Sequence, residues 1–285
     1  MREDVAMDIT QELLALLERF AARAALPKVR GLLLPPAAVP TSIAGEFCAI
    51  ELDDGSLGLS YVLLDESSRR LVAEGGDRSL GLEGADALAV ARWFGEAPGA
   101  RRAIGFAAVN ALTRCLFDRA GYVPGASGDS IGMLAPQPLD RIGMIGLFPP
   151  LVKSIVQAGA SLTVVELRSD LAGERDGWRV TTDRGELAGC NKVIATSTLL
   201  LNGTLDAMLA ACASARTFAL IGPGAGCLPD PLFARGVTLV GGTWITDRAA
   251  FRAALSAGSS WTAAARKTAI RREDYPGFEV LLGRL

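Results

Sequence analysis

Apolar residues recur along the first part of the chain in two rhythms. In "ITQELLALLERFAARAAL" they fall three and four apart, the spacing of a helix with one buried face. "KVRGLLL" is apolar enough for a strand, and "FCAIELDDGSLGLSYVLLD" is two strand-like runs around Asp54-Gly55, a pair that favours a hairpin. Helical spacing returns near residues 85–94 and 103–119. Glycine, proline and serine then crowd into "GYVPGASGDSIGMLAPQPLD", which breaks both rhythms and reads as a linker. Beyond it short apolar runs alternate with helical segments. Strands are predicted at 141–145, 162–166, 192–195, 218–221 and 237–240, an alternation that builds a parallel sheet covered on both faces. The polar stretch "RSDLAGERDGWRVTTDRGELAGC" interrupts it as an excursion or a small hairpin. The predicted fold is α/β: a parallel-sheet domain over residues 138–262 preceded by a smaller α+β domain over 1–125. "SSWTAAARKTAIRREDYPGFEVLLGRL" predicts a helix as far as Arg272, so 263–285 is expected to be a C-terminal helix and tail. Its apolar "FEVLL" would dock on its own body or on a second subunit.

Length and composition agree with two domains. The chain has 285 residues, and about 150 residues per domain leaves each able to bury a core. Half of the residues are apolar, yet charge or proline interrupts every run of roughly 20, so no membrane-spanning helix is predicted. The opening "MREDVAMDIT" lacks the basic-then-apolar order of a secretion signal, which makes the cytoplasm the expected location. Net charge is −2 and the basic residues are scattered, so neither nucleic acid nor membrane is an expected partner. Cys48, Cys115, Cys190, Cys212 and Cys227 are odd in number and never arranged as C-x-x-C, which argues for buried thiols rather than a disulfide framework or zinc knuckle. The chain has no histidine. Ser-His and Cys-His nucleophile pairs and imidazole-ligated metals are thereby removed.

Candidate chemistry gathers at predicted strand ends. "DRIGMIGLFPPLV" opens like a nucleotide-binding turn, with Gly143 and Gly146 leading from sheet to helix, but its helix begins with Pro149 and Pro150. Dinucleotide turns grip pyrophosphate through free amides of the helix's first turn, and proline has no amide hydrogen to offer. Glu166, at the next strand end, stands where an acid binds ribose hydroxyls in dinucleotide folds, or else accepts nearby backbone or arginine donors. Two later strand ends are better equipped. Thr196, Ser197 and Thr198 close one strand, with Asn202 or Thr204 placed to cap the next helix. Gly222, Pro223, Gly224, Gly226 and Cys227 close another. Carboxyl ends of parallel strands are where open α/β sheets hold ligands, although such sequences also serve as plain caps and tight turns. Cys227 is either a thiolate ligand or nucleophile, or a small buried hydrophobe. In the first half, Asn110 lies in an alanine-rich helix on the side of Phe106, Thr113 and Phe117, so its amide needs partners from backbone or ligand. Asp129, in the linker, reaches into a cleft or solvates a loop.

These same residues resemble those of the "putative heavy-metal chelation" domain family of bacterial and archaeal proteins. The matching stretches are "AAVNAL", "IGMIGLFPPLV", "LTVVE", "ATSTLLLNGTLDAML" and "IGPGAGCLPDPLFARGVTLVGG", strongest from about Ala103 to Asp247. The resemblance implies an enolase N-terminal-like α+β domain followed by a Rossmann-like domain, with a site between them. This chain departs from the family pattern at Gly224, where a serine or threonine hydroxyl is expected after Gly222-Pro223. The implied function is a cytoplasmic small-ligand-binding protein that handles a metal ion or metal chelate in the interdomain cleft. Asn110, Asp129 and Cys227 would face the ligand, with Gly143, Gly146, Glu166, Thr196, Thr198, Asn202, Gly222, Pro223 and Gly224 forming the loops that hold a cofactor. A bare soft metal would call on Cys227; one already wrapped in an organic chelator needs fewer protein ligands. The alternative is an enzyme using NAD or S-adenosylmethionine with Glu166 on the ribose. A third reading is a non-catalytic subunit whose C-terminal tail makes a homo-oligomer.

Overall fold

Asp8 starts the first helix. Its carboxylate accepts the Gln11 amide while the Gln11 side chain accepts the Asp8 amide, a reciprocal cap for α1 (Ile9–Arg23). The computed structural model describes residues 7–36, 46–62, 66–74, 80–128 and 134–285. Strands β1 (Val29–Leu33), β2 (Phe47–Leu52) and β3 (Leu57–Tyr61) follow, paired antiparallel in that order around the Asp54-Gly55 turn. Helices α2 (Glu66–Ala73), α3 (Ala87–Ala91) and α4 (Ala100–Arg119) complete the smaller α+β unit. Helix α4 is buried from Ala103 through Phe117 except at Arg114, so its alanines leave room for neighbours rather than marking a solvent face.

The second unit is a nine-stranded sheet. In chain order its elements are β4 (Gly125–Ala126), β5 (Arg141–Ile145), α5 (Pro149–Gln157), β6 (Ser161–Val165), β7 (Gly173–Arg175), β8 (Trp178–Thr181) and β9 (Lys192–Thr196). They continue as α6 (Thr198–Leu201), α7 (Leu205–Ala211), β10 (Thr217–Ile221), α8 (Asp230–Ala234), β11 (Leu239–Ile245), α9 (Arg248–Ser256), β12 (Ala265–Arg271) and α10 (Phe278–Leu282). Across the sheet the order is β4-β12-β11-β10-β9-β5-β6-β8-β7. The strands from β11 to β8 pair in parallel, as a Rossmann-like sheet does, and the direction of winding reverses between β5 and β9. The predicted excursion is the β7–β8 hairpin, with β8 added in parallel to β6.

One expectation fails. Residues 263–285 do not open with a helix: 265–271 form β12, antiparallel to β11 over the full register Leu239↔Arg271 to Ile245↔Ala265. Alanine-rich composition favours a helix in isolation, but seven strand pairings along the edge of β11 outweigh a propensity of a few tenths of a kcal/mol per residue. The apolar tail is α10, docked on its own chain. The Phe278 amide and the Tyr275 hydroxyl both donate to Asp230 at 2.8 Å, and Arg19 pairs with Glu279 at 2.6 Å.

The two units share one continuous core in which Phe106 and Leu112 of α4 join Leu199, Leu220 and Leu228 of the sheet unit. Polar links reinforce the seam. Arg102 of α4 donates to the Leu200 and Leu201 carbonyls at 3.1 and 2.7 Å, capping α6 from the other unit. Glu51 on β2, only 4% exposed, is held by Arg252 of α9 and by Arg30. Among the described residues no helix is long and apolar enough to cross a membrane.

Candidate functional site

The turn between β5 and α5 has no donor left for a phosphate. The Gly146 amide donates to the Val165 carbonyl at 3.0 Å, Leu147 to the Glu166 carboxylate at 2.5 Å and Phe148 to the Met144 sulfur at 3.4 Å. Pro149 and Pro150 occupy the first two helical positions and have no amide hydrogen. The next amides, of Leu151 and Val152, turn back to the Phe148 carbonyl. The Glu166 carboxylate accepts the Leu147 and Leu167 amides and so lies over the turn where an anion would have to sit. Burial pushes the Tyr61 hydroxyl above its ordinary pKa, and Glu46 and Glu166 push it further against Arg69.

Gly146 is the turn glycine: its φ is +82° and a side chain would begin 3.0 Å from the Thr196 methyl. Gly143 is not in the turn but midway along β5, where its bare α-carbon admits Leu187 and Cys190. Thr196 and Thr198 face each other across the β9 strand end, the Thr198 hydroxyl donating to Thr196 at 3.1 Å. Asn202 points away from this group. Its carboxamide oxygen accepts the Thr204 amide and hydroxyl at 3.1 and 2.6 Å, a local turn that leads into α7.

The β10 loop reaches the other unit. Gly222, at φ +144°, lets the Ser197 hydroxyl approach to where a β-carbon would stand, 2.6 Å away. Asn110 then bridges the seam, its Nδ2 donating to Leu59 O of β3 at 2.7 Å and to Gly224 O at 2.9 Å. Because both protons of the amide are committed, its Oδ1 must face the other way, and that atom is buried with no hydrogen-bond partner among the described residues. Asn110 also lines a cavity of about 40 Å³, within a recess of about 520 Å³ that opens to solvent. Its walls come from both units: Leu57–Leu59 and α4 on one side, Pro223, Gly226, Cys227 and strands β11 and β12 on the other. The structure thus brings Asn110, Pro223, Gly224 and Cys227 to one place, and Gly146, Glu166, Thr196 and Thr198 to the neighbouring ends of β5, β6 and β9. Asp129 lies outside the described residues. The sequence reading missed Arg114 and Trp244, which also line the cavity. The signal for Arg114 was its place four residues after Asn110, as the one charged residue between Ala103 and Phe117.

Thiolate chemistry has no support here. All five cysteines are buried and unpaired. Burial pushes Cys48, Cys212 and Cys227 up to about 12 and raises Cys115 and Cys190 as well. Among the described residues no group of three or more Cys, Asp or Glu is placed to hold a metal ion, so the side chains present do not fit a bare soft cation. A thiol-reactive dye at neutral pH is expected to label none of the five cysteines in the native protein and all of them after unfolding. Rapid native labelling at Cys227 would contradict its burial.

Comparison with known proteins accords with this architecture. The sequence model of the DUF364 family, described as "Putative heavy-metal chelation", matches residues 129–273, and that of DUF4213, under the same description, matches residues 35–113. Among solved structures, the chain resembles a protein of unknown function from the DUF364 family of Desulfitobacterium hafniense DCB-2. The two are 19% identical with a TM-score of 0.67, over 92% of this chain and 99% of that one. A DUF364 protein of unknown function from Pyrococcus horikoshii is also 19% identical, with a TM-score of 0.64 over 91% of this chain and 99% of its own. At that identity the likeness speaks for the fold. No curated protein matches the chain. With a family match across just over half its length and this shared fold, the chain belongs to the DUF364 "putative heavy-metal chelation" family.

Proposed function

We propose that the protein binds a small polar organic ligand in the recess between its two units, and that any metal it handles arrives already coordinated by that ligand. The observation that carries this reading is the Asn110 Oδ1 atom, buried without a partner among the described residues, on a residue that lines a cavity walled by both units. An unpaired buried carbonyl costs about 1–3 kcal/mol, a cost that a donor entering the cavity removes. The fit with bare metal is poor for the reasons of thiol burial and ligand scarcity given above. NAD is disfavoured by a β5–α5 turn whose amides are all engaged and whose nearest carboxylate would repel its phosphates.

Gly226→Ala tests the site with little risk to the fold. A β-carbon there would stand 3.4 Å from Asn110 Cγ and 3.7 Å from Oδ1, ordinary van der Waals contact that nonetheless covers the orphaned oxygen. Native mass spectrometry with metal analysis of the purified protein is expected to find a small molecule that the Gly226→Ala variant has largely lost. Added divalent metal salts alone are expected to give no binding heat. Equal ligand content in the two proteins, or saturable binding of the bare ion, would overturn the reading.

A further inference from the structure

The same recess has a definite charge. Asn110, Arg114 and Phe117 lie on one face of α4, and all three line it. Arg114 has a side chain only 14% exposed; its Nε donates to Asp118 at 2.8 Å, its Nη1 donates to the Ile245 carbonyl at 3.1 Å, and its guanidinium lies 3.7 Å from the centre of the Trp244 ring. Its Nη2 has no partner among the described residues. Arg266 stands opposite Trp244 across the β11–β12 pair and approaches the same ring at 5.9 Å, while donating to the Pro124 carbonyl. Burial lowers the Arg114 pKa from its ordinary value; Asp118 opposes this, and Arg248 and Arg266 push the same way as burial. Arg114 on the wall and Arg266 behind Trp244 therefore set two guanidiniums at this end against the Asp118 carboxylate. Thr268, 6% exposed and opposite Gly242 on the same sheet face, adds a hydroxyl to the wall.

These features ask for different groups at the two ends of one ligand. Asn110 Oδ1 can only accept, so it requires an O–H or N–H. An ammonium is disfavoured so close to Arg114 and Arg266, which leaves a neutral donor. The arginine end requires an anion, and a guanidinium fork matches a carboxylate. The cavity of about 40 Å³ admits one functional group, and the open recess takes the rest of the molecule.

We propose that the recess is a hydroxycarboxylate site, the ligand's hydroxyl donating to Asn110 Oδ1 and its carboxylate groups resting on Arg114 and Arg266 beside Trp244. This assignment rests on the reading of the recess as a ligand site and names the chemical class it selects. Hydroxycarboxylates wrap metal ions through oxygen, which is the form of cargo a recess poor in protein ligands can accept.

Calorimetry on the full chain with citrate, tricarballylate and sulfate separates the possibilities. Tricarballylate has the carboxylates of citrate without its hydroxyl. Citrate is expected to bind, and tricarballylate to bind about tenfold or more weakly, the effect of one buried hydrogen bond. Sulfate at the same concentration should not compete. Arg114→Met and Arg266→Met should each weaken citrate about tenfold or more. Arg266→Met keeps the test valid if loss of the Asp118 and Ile245 contacts unfolds the Arg114 variant. Equal affinity for citrate and tricarballylate, competition by sulfate, or citrate binding unchanged in Arg266→Met would overturn the assignment. If citrate fails while Gly226→Ala still strips a co-purified molecule, the hydroxycarboxylate class falls alone. If Gly226→Ala strips nothing, the recess itself is not the site.

Discussion

Gly58→Ala is expected to destabilise the protein by about 3 kcal/mol or more, the upper range for overpacking a core. A β-carbon on Gly58 would lie 2.1 Å from the Ala107 carbonyl oxygen, 2.1 Å from the Ala111 amide nitrogen and 2.7 Å from the Asn110 carbonyl carbon. All three are backbone atoms of α4, so no rotamer change relieves the clash. The helix would have to lift off β3, and it is packed on its far side as well. The seam would open at Leu59, the neighbour of Gly58, which Asn110 holds. Urea or thermal unfolding measures the effect, with a fall in Tm of about 10 °C for a chain of this size. Gly31→Ala is the control, because a β-carbon there meets nothing within 4 Å. A Gly58→Ala midpoint indistinguishable from the Gly31→Ala control would mean that α4 does not seat on β3 as described.

Replacement of Asn110 by leucine is the second large effect. Two buried carbonyls, of Leu59 and Gly224, lose their only side-chain donor, at about 1–3 kcal/mol each, while the unpaired Oδ1 is removed and returns part of that cost. The expected net loss is about 2–4 kcal/mol. Asn110→Leu should differ from an ordinary core substitution in one respect. The β10 loop, freed at Gly224, should show faster amide hydrogen exchange than the strands it joins. Unchanged exchange across 222–227 would show that Asn110 does not hold the loop.

Asn110 also illustrates how far the sequence could be read. An asparagine among apolar neighbours in a helix announces that it needs partners, and the side of the helix could be named from spacing. Its partners lie 51 and 114 residues away, and nothing local points to them. The twin prolines were equally legible, since the loss of two amide donors follows from covalent structure. That Glu166 occupies a third donor, at Leu147, depends on β6 lying in register beside β5. Arg114 was overlooked because a charge on a helix ordinarily faces water; α4 is unusual in being buried from Ala103 through Phe117 except at Arg114, itself only partly exposed. Asn202 looked like a ligand contact or a cap, and its bonds to Thr204 make it part of a local turn. The strand at 265–271 was misread for a related reason: alanine favours helices locally, and only the open edge of β11 makes an extended chain there the better solution.

By itself the sequence determined what depends on local chemistry: the strand and helix alternation of the second unit, the turn signals and the absence of imidazole. It also determined the missing amide hydrogens of Pro149 and Pro150. Tertiary structure alone decided which backbone carbonyls Asn110 ties together, that Arg114 and Trp244 line one recess with Asn110, and that every cysteine is sealed from solvent. The reason is physical. Periodicity, propensity and donor count are properties of a few neighbouring residues, whereas an orphaned oxygen, a shared cavity or a raised pKa exists only once distant segments have excluded water from between them.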